Sequence, residues 1–123
     1  MNKNKQSPQA FAEAWLRAWN QRDLEGILAH YADGAEQHSP LVVRLLGDSS
    51  GTVIGKSNLR GYFQKALAAF PGEMDLELLG VFQGVNSLIV HSKSKIGVGA
   101  EFLELNGEGV VRRGIAHFGV RAA

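Results

Sequence analysis

Apolar residues recur every three or four positions in the first part of the chain and every second position in the last, so helices precede strands. Ser7-Pro8 opens the first helix: the serine side chain caps it, and proline at the first helical position lacks only an N–H that the helix leaves unpaired. Phe11, Trp15 and Trp19, with Ala12 and Leu16 beside them, form one apolar stripe of roughly three to four turns. Asn20-Gln21-Arg22 breaks that pattern. Asp23 then caps a second helix carrying Leu24, Ile27, Leu28 and Tyr31 on one face, and Asp33-Gly34 stops it. A third helix runs from a Ser57 cap through Leu59, Tyr62, Phe63, Ala66, Leu67 and Phe70 to Pro71-Gly72. Between the second and third helices, Glu36 to Leu46 and Thr52 to Ile54 read as short strands joined by a loop over 47–51.

After Gly72 the period falls to two. Met74, Leu76 and Leu78 alternate with Asp75 and Glu77, and Leu88-Ile89-Val90 follows a turn at Gly84-Val85-Asn86. Ile96, Val98, Ala100 and Phe102 alternate with Gly97, Gly99, Glu101 and Leu103, and Asn106 to Gly109 turns the chain into a returning strand from Val110 to Val120. Helices followed by hairpin-linked strands predict an α+β fold with an antiparallel sheet. The chain reads as a single domain over 1–123, with 1–7 a flexible N-terminal segment. One sheet face packs on the helices. The other carries Ile96, Val98 and Phe102, an apolar patch that calls for a second copy of the chain. Gly97 and Gly99 share a face with Glu101 and either leave room there for a ligand or ease strand bending.

Composition narrows the chemistry. The 123 residues are 45% hydrophobic and 20% charged, which excludes intrinsic disorder. There is no cysteine, so disulfides, thiolate zinc sites and cysteine nucleophiles are excluded. A net charge of +1 gives no electrostatic reason to bind nucleic acid or an acidic membrane. No apolar run is long enough to cross a bilayer, and the charged start has no apolar stretch behind it, so a cytoplasmic protein is expected.

Gly51 to Ser57 has the letters of a phosphate-binding loop, but its glycines stand one residue too close, and a strand ending at Ile54 before a helix explains it better. His30, His38, His91 and His117 have no metal-ligand spacing, and no metal or other cofactor is expected. Glu101 is the candidate acid–base group: on a covered face its pKa would rise. The alternative is a salt bridge from Glu101 to Arg112 or Arg113 across the hairpin. Glu104, at odd spacing from Glu101, points to the other face.

Trp15 to Leu28 (WLRAWNQRDLEGIL), followed by Tyr31-Ala32-Asp33-Gly34-Ala35, resembles the opening of the nuclear transport factor two-like superfamily. His38 to Val42 and Gly55 to Phe63 look like its SnoaL-like branch, and the resemblance extends from about Phe11 to Val120. It implies a cone: a curved antiparallel sheet around three helices, with an internal pocket and dimers through the outer sheet face. Ketosteroid isomerases of that superfamily use a tyrosine and a protonated acid as an oxyanion hole, and an aspartate before a proline as base. Lining up Asp23 to Gly26 and Asn106-Gly107 puts Trp15 at the tyrosine, Glu101 at the acid and Ser39 at the base. Serine is no unaided base, so that mechanism does not carry over. His38 adjoins Ser39, but alternation turns it to the other face unless a bulge intervenes. Three functions remain open. One is an enzyme acting on an apolar small molecule (a cyclase, isomerase or hydratase) through Glu101 with His38 or Ser39. Another is a binding protein gripping such a molecule with Trp15, Trp19, Tyr62 and Phe118, and the last is a dimerisation module.

Overall fold

The computed structural model describes residues 6–95 and 97–120. Its elements follow in the order α1 (Pro8–Asn20), α2 (Leu24–Leu28), β1 (Tyr31–His38), α3 (Pro40–Leu46), β2 (Thr52–Ile54), α4 (Lys56–Ala69), β3 (Glu77–Gly84), β4 (Ser87–Ser94), β5 (Gly97–Leu105) and β6 (Val111–Phe118). The architecture is α+β, with one curved six-stranded sheet against the helices.

Helix α1 starts where the sequence predicts. Ser7 Oγ accepts a hydrogen bond from the Ala10 amide at 3.1 Å, and Phe11, Ala12, Trp15 and Leu16 are buried. Residues 1–5 of the expected flexible segment lie outside the described residues. Asp23 caps α2 by accepting from the Gly26 amide at 3.1 Å. Between the two helices Arg22 adopts φ 56, and its guanidinium donates to the carbonyls of Leu67, Phe70 and Gly72, at the C-terminal end of α4. Those carbonyls have no partner within their own helix. Asn20 ties the end of α1 to the approach to β3, donating to the Leu76 carbonyl at 3.0 Å and accepting from its amide at 2.8 Å.

Several local expectations change. Tyr31 does not end α2; it begins β1, and Asp33-Gly34 lies inside that strand, where pairing with β6 is irregular between Tyr31 and Glu36. The stretch 36–46 is not one strand. It divides at Ser39-Pro40 because proline cannot donate to a sheet but can begin a helix, and Ser39 Oγ caps α3 by accepting from the Leu41 amide at 3.1 Å. Gly47, with φ 69, ends this short helix, which brings the number of helices among the described residues to four. Ser57 is not the cap of α4: Gly55 occupies the N-cap without a side-chain bond, and Ser57 sits in the first turn. The third expected strand starts at Glu77, not Met74.

The strand order is β2-β1-β6-β5-β4-β3. The sheet is not wholly antiparallel as the sequence predicts: β1 pairs with β6 in parallel, and every other pairing is antiparallel. Register sorts the two faces. Glu101 stands between Val90 and Ala116, Leu103 between Leu88 and Gly114, and Gln37 beside Gly114. This inner face buries Leu88, Val90, Leu103 and Val111 against Phe11, Trp15, Ile27, Leu28, Leu59 and Phe63. The outer face carries a row that crosses four strands, Phe82, Ile89, Phe102 and Ile115, and continues to His38 on β1. Phe82 is 61% exposed and Val98 also stands open, while Ile96 lies outside the described residues.

Candidate functional site

Glu101 points from β5 toward the helices. Its carboxylate Oε2 accepts a hydrogen bond from Gln37 Nε2 on β1 at 2.8 Å. The residue is half-buried, but its carboxyl is desolvated. Burial pushes the pKa up to about 7, against the smaller opposing effect of the Gln37 bond. Among the described residues no Lys or Arg pairs with it. Arg112 and Arg113 instead approach Glu104 Oε1 on the other face, at 3.5 and 3.6 Å, so the salt-bridge alternative for Glu101 does not form.

Two phenols share the electrostatic environment of Glu101. Tyr31 is buried, and its hydroxyl accepts from Trp15 Nε1 at 3.2 Å. Burial, reinforced by the Glu101 charge, raises its pKa. Tyr62 on α4 is buried, and burial raises its pKa as well, against a smaller opposing effect of the Ser39 side chain. Trp15, Ser39, Tyr62 and Glu101 are therefore gathered on the helix side of the sheet. Trp19 packs edge-on against Trp15 and Phe63, at centroid distances of 6.5 and 5.2 Å, and contributes to the aromatic core. Phe118 shares the inner face by register but lies at the end of β6, 48% exposed.

His38 is not brought to Glu101. It faces outward, with Nε2 3.0 Å from Glu36 Oε1 and Nδ1 3.0 Å from Thr52 Oγ1, because β1 keeps its alternation up to Ser39 and no bulge turns the ring inward. Gly99 does not open space either. A Cβ there would meet the His117 carbonyl at 3.3 Å, so this glycine lets β6 approach β5 closely. Gly97 faces open space, with φ 138. The concavities among the described residues include the following two. One of about 340 Å³ lies among Phe11, Ala29, His30, Glu108 and Val110. The other, about 240 Å³, lies among His38, Ser39, Pro40, Val43, Ile115 and Ala116, and so adjoins the Glu101 site through Ser39 and Ala116. Glu101 lines neither. Among the described residues no three His, Asp or Glu gather as metal ligands.

Three members of the site escape the sequence reading: Gln37, Tyr31 and Gly114. Tyr31, Ala35 and Gln37 are all buried on β1. Their alternation is the signal that would have exposed Gln37, had the strand been read as starting at Tyr31. Gly114 is needed because a Cβ there would overlap Gln37 Oε1 and come within 3.3 Å of Glu101 Oε2.

A curved six-stranded sheet backed by helices places the chain among small α+β proteins. The model of the SnoaL-like domain matches residues 12–123, and the chain belongs to that family, within the nuclear transport factor two-like superfamily. A SnoaL-like protein of unknown function from Burkholderia thailandensis E264 is 33% identical, with 92% of this chain and 94% of that chain covered and a TM-score of 0.86. A putative ketosteroid isomerase from Kribbella flavida DSM 17836 is 20% identical, with 94% and 80% covered and a TM-score of 0.70. TerC, co-crystallised with polyporic acid, is 20% identical, with 92% of both chains covered and a TM-score of 0.71. The last two likenesses are of fold. No curated protein matches the sequence.

Proposed function

We propose that the chain binds an apolar small molecule on the Glu101 side of the sheet and moves a proton on it, in a cyclase-, isomerase- or hydratase-type reaction with Glu101 as the acid–base group. The observation that carries this reading is the Glu101 carboxyl itself, held by one neutral amide with no cation beside it, its pKa near 7 through burial. A group so placed is populated in both forms at neutral pH, the condition under which it can both take and return a proton. Trp15, Trp19, Tyr62 and Phe118 supply apolar surface, and Ser39 lies at the rim. His38, on the opposite face, takes no part in that step.

A second reading, binding without turnover, is favoured by the surroundings of the carboxyl. Tyr31 and Tyr62 have raised pKa values and stay neutral, so no second proton-transfer group stands ready near neutral pH. The test uses polyporic acid, the molecule bound by TerC, and a panel of apolar enones as probes. The proposal expects thermal stabilisation of the wild type by at least one probe, turnover of that probe, and loss of turnover without loss of fold in Glu101→Gln. Turnover unaffected by Glu101→Gln would overturn it, and binding with no turnover would favour the second reading.

The partner on the outer face, in our reading, is a second copy of the chain. The row Phe82, Ile89, Phe102 and Ile115 supports it, since an apolar stripe across four strands suits an interface. Light scattering of the wild type should give twice the chain mass, and Phe82→Glu should return it to the single-chain mass. A cytoplasmic location suits a chain with no cysteine, and among the described residues no helix is long and apolar enough to cross a membrane.

A further inference from the structure

We propose that Gln37 is a positioning residue whose side-chain amide rotates each time the Glu101 carboxyl gains or loses a proton, so that the carboxyl keeps a hydrogen bond and a fixed orientation in both forms. The inference rests on the reading of Glu101 as a proton-transfer group.

The geometry carries it. Gln37 is 4% exposed, and its Nε2 donates to Glu101 Oε2 at 2.8 Å. Its Oε1 is buried and has no partner. A buried acceptor without a donor is unfavourable, and the observed orientation suits an ionised carboxylate, which can only accept. Protonating Oε2 places an O–H donor against an N–H donor. A half-turn of the amide plane about Cγ–Cδ then brings Oε1 to the new O–H and carries Nε2 to where Oε1 stood. The space beside that atom is open because β6 has glycine at 114. A Cβ there would overlap Oε1 and lie 3.3 Å from Gln37 Cδ and from Glu101 Oε2.

Among the described residues the Gln37 side-chain amide has no hydrogen-bond partner besides Glu101. Val90 and Ala116 flank Glu101 on the neighbouring strands. Trp15 on α1 gives its N–H to Tyr31. Tyr31 on β1 and Tyr62 on α4 are the titratable groups that feel the Glu101 charge, and both stay neutral through its titration. A lysine or arginine at position 37 would hold the carboxyl ionised. An amide can serve either form, as a group that must take and return a proton requires.

The test is an NMR titration of the full-length protein, labelled with 13C and 15N, from pH 4.5 to 9. It follows the Glu101 carboxyl carbon and the Gln37 side-chain NH2. The proposal expects the Gln37 signals to move with the Glu101 midpoint, and the NH2 cross-peaks to pass from Glu101 at high pH to the Gly114 Hα at low pH. A Glu101 midpoint near 7 with Gln37 signals flat across it would overturn the rotation and leave the proton-transfer reading standing. A midpoint near 4.5 would remove both. Gln37→Leu should raise the midpoint by roughly half to one pH unit, because the charge-assisted bond to the ionised form is the stronger of the two. A midpoint unmoved in this variant would overturn the positioning role.

Discussion

Replacing Glu101 by glutamine should remove a pH-dependent weakness from the fold. The folded protein holds this carboxyl at a pKa of about 7, whereas the unfolded chain exposes it at its ordinary 4.5. A carboxyl raised on folding contributes stability that is fully present below the unfolded value and is lost as pH rises through the folded one. Each pH unit of separation is worth ~1.4 kcal/mol, so ionisation of the buried group costs the fold about 3 kcal/mol by pH 9. That is a large share of the ~5–15 kcal/mol by which domains are stable. Glutamine keeps the shape and can still pair with Gln37, but it never ionises. The stability of Glu101→Gln minus that of the wild type should therefore climb by about 3 kcal/mol from pH 4.5 to pH 9, with most of the change between pH 5 and 8. Urea unfolding followed by tryptophan emission at half-unit steps of pH would measure it, because Trp15 is buried in the native state. A difference that is flat, or that falls as pH rises, would refute the reasoning: the site would then favour the ionised carboxylate through a positive group not seen beside it. The group placed at the chemistry would thus also be a source of instability, in keeping with the general cost of functional sites.

Trp15→Phe removes the indole N–H that reaches the Tyr31 hydroxyl and should cost about 1–3 kcal/mol of unfolding free energy; an unchanged urea midpoint would count against this buried bond. Arg22→Ala strips three carbonyl partners from the end of α4 and should cost about 1–3 kcal/mol, read as a lower thermal midpoint; Arg22→Gly should lose less, because φ 56 suits glycine. Gly114→Ala forces the Gln37 amide aside, so it should destabilise the fold by about 1–3 kcal/mol and raise the Glu101 midpoint in the same NMR titration. A Gly114→Ala protein with the wild-type midpoint would show that Gln37 does not depend on that glycine.

Local chemistry was legible in the letters. Ser7-Pro8 and Asp23 begin helices because a capping oxygen and a missing N–H act within one turn. The inward parity of Glu101 followed from strand alternation, which is likewise local. Ser39-Pro40 carried the same signal as Ser7-Pro8, yet the apolar residues after it read equally well as a strand, and the short helix α3 went unpredicted. What lay beyond the sequence was register between segments far apart in the chain. Gln37 and Glu101 are 64 positions apart, and their bond exists because β1 joins β6 in parallel, with Gly114 aligned between them. Arg112 and Arg113 could have reached either glutamate on paper; β6 pairs Arg113 with Glu104, and the register shift that follows lets Arg112 reach Glu104 too, which leaves Glu101 without a cation. Spacing along a strand determines which face a side chain takes, but only the packed sheet decides what it meets there. That meeting sets the desolvation, and with it the pKa, of the one carboxyl on which the proposed chemistry depends.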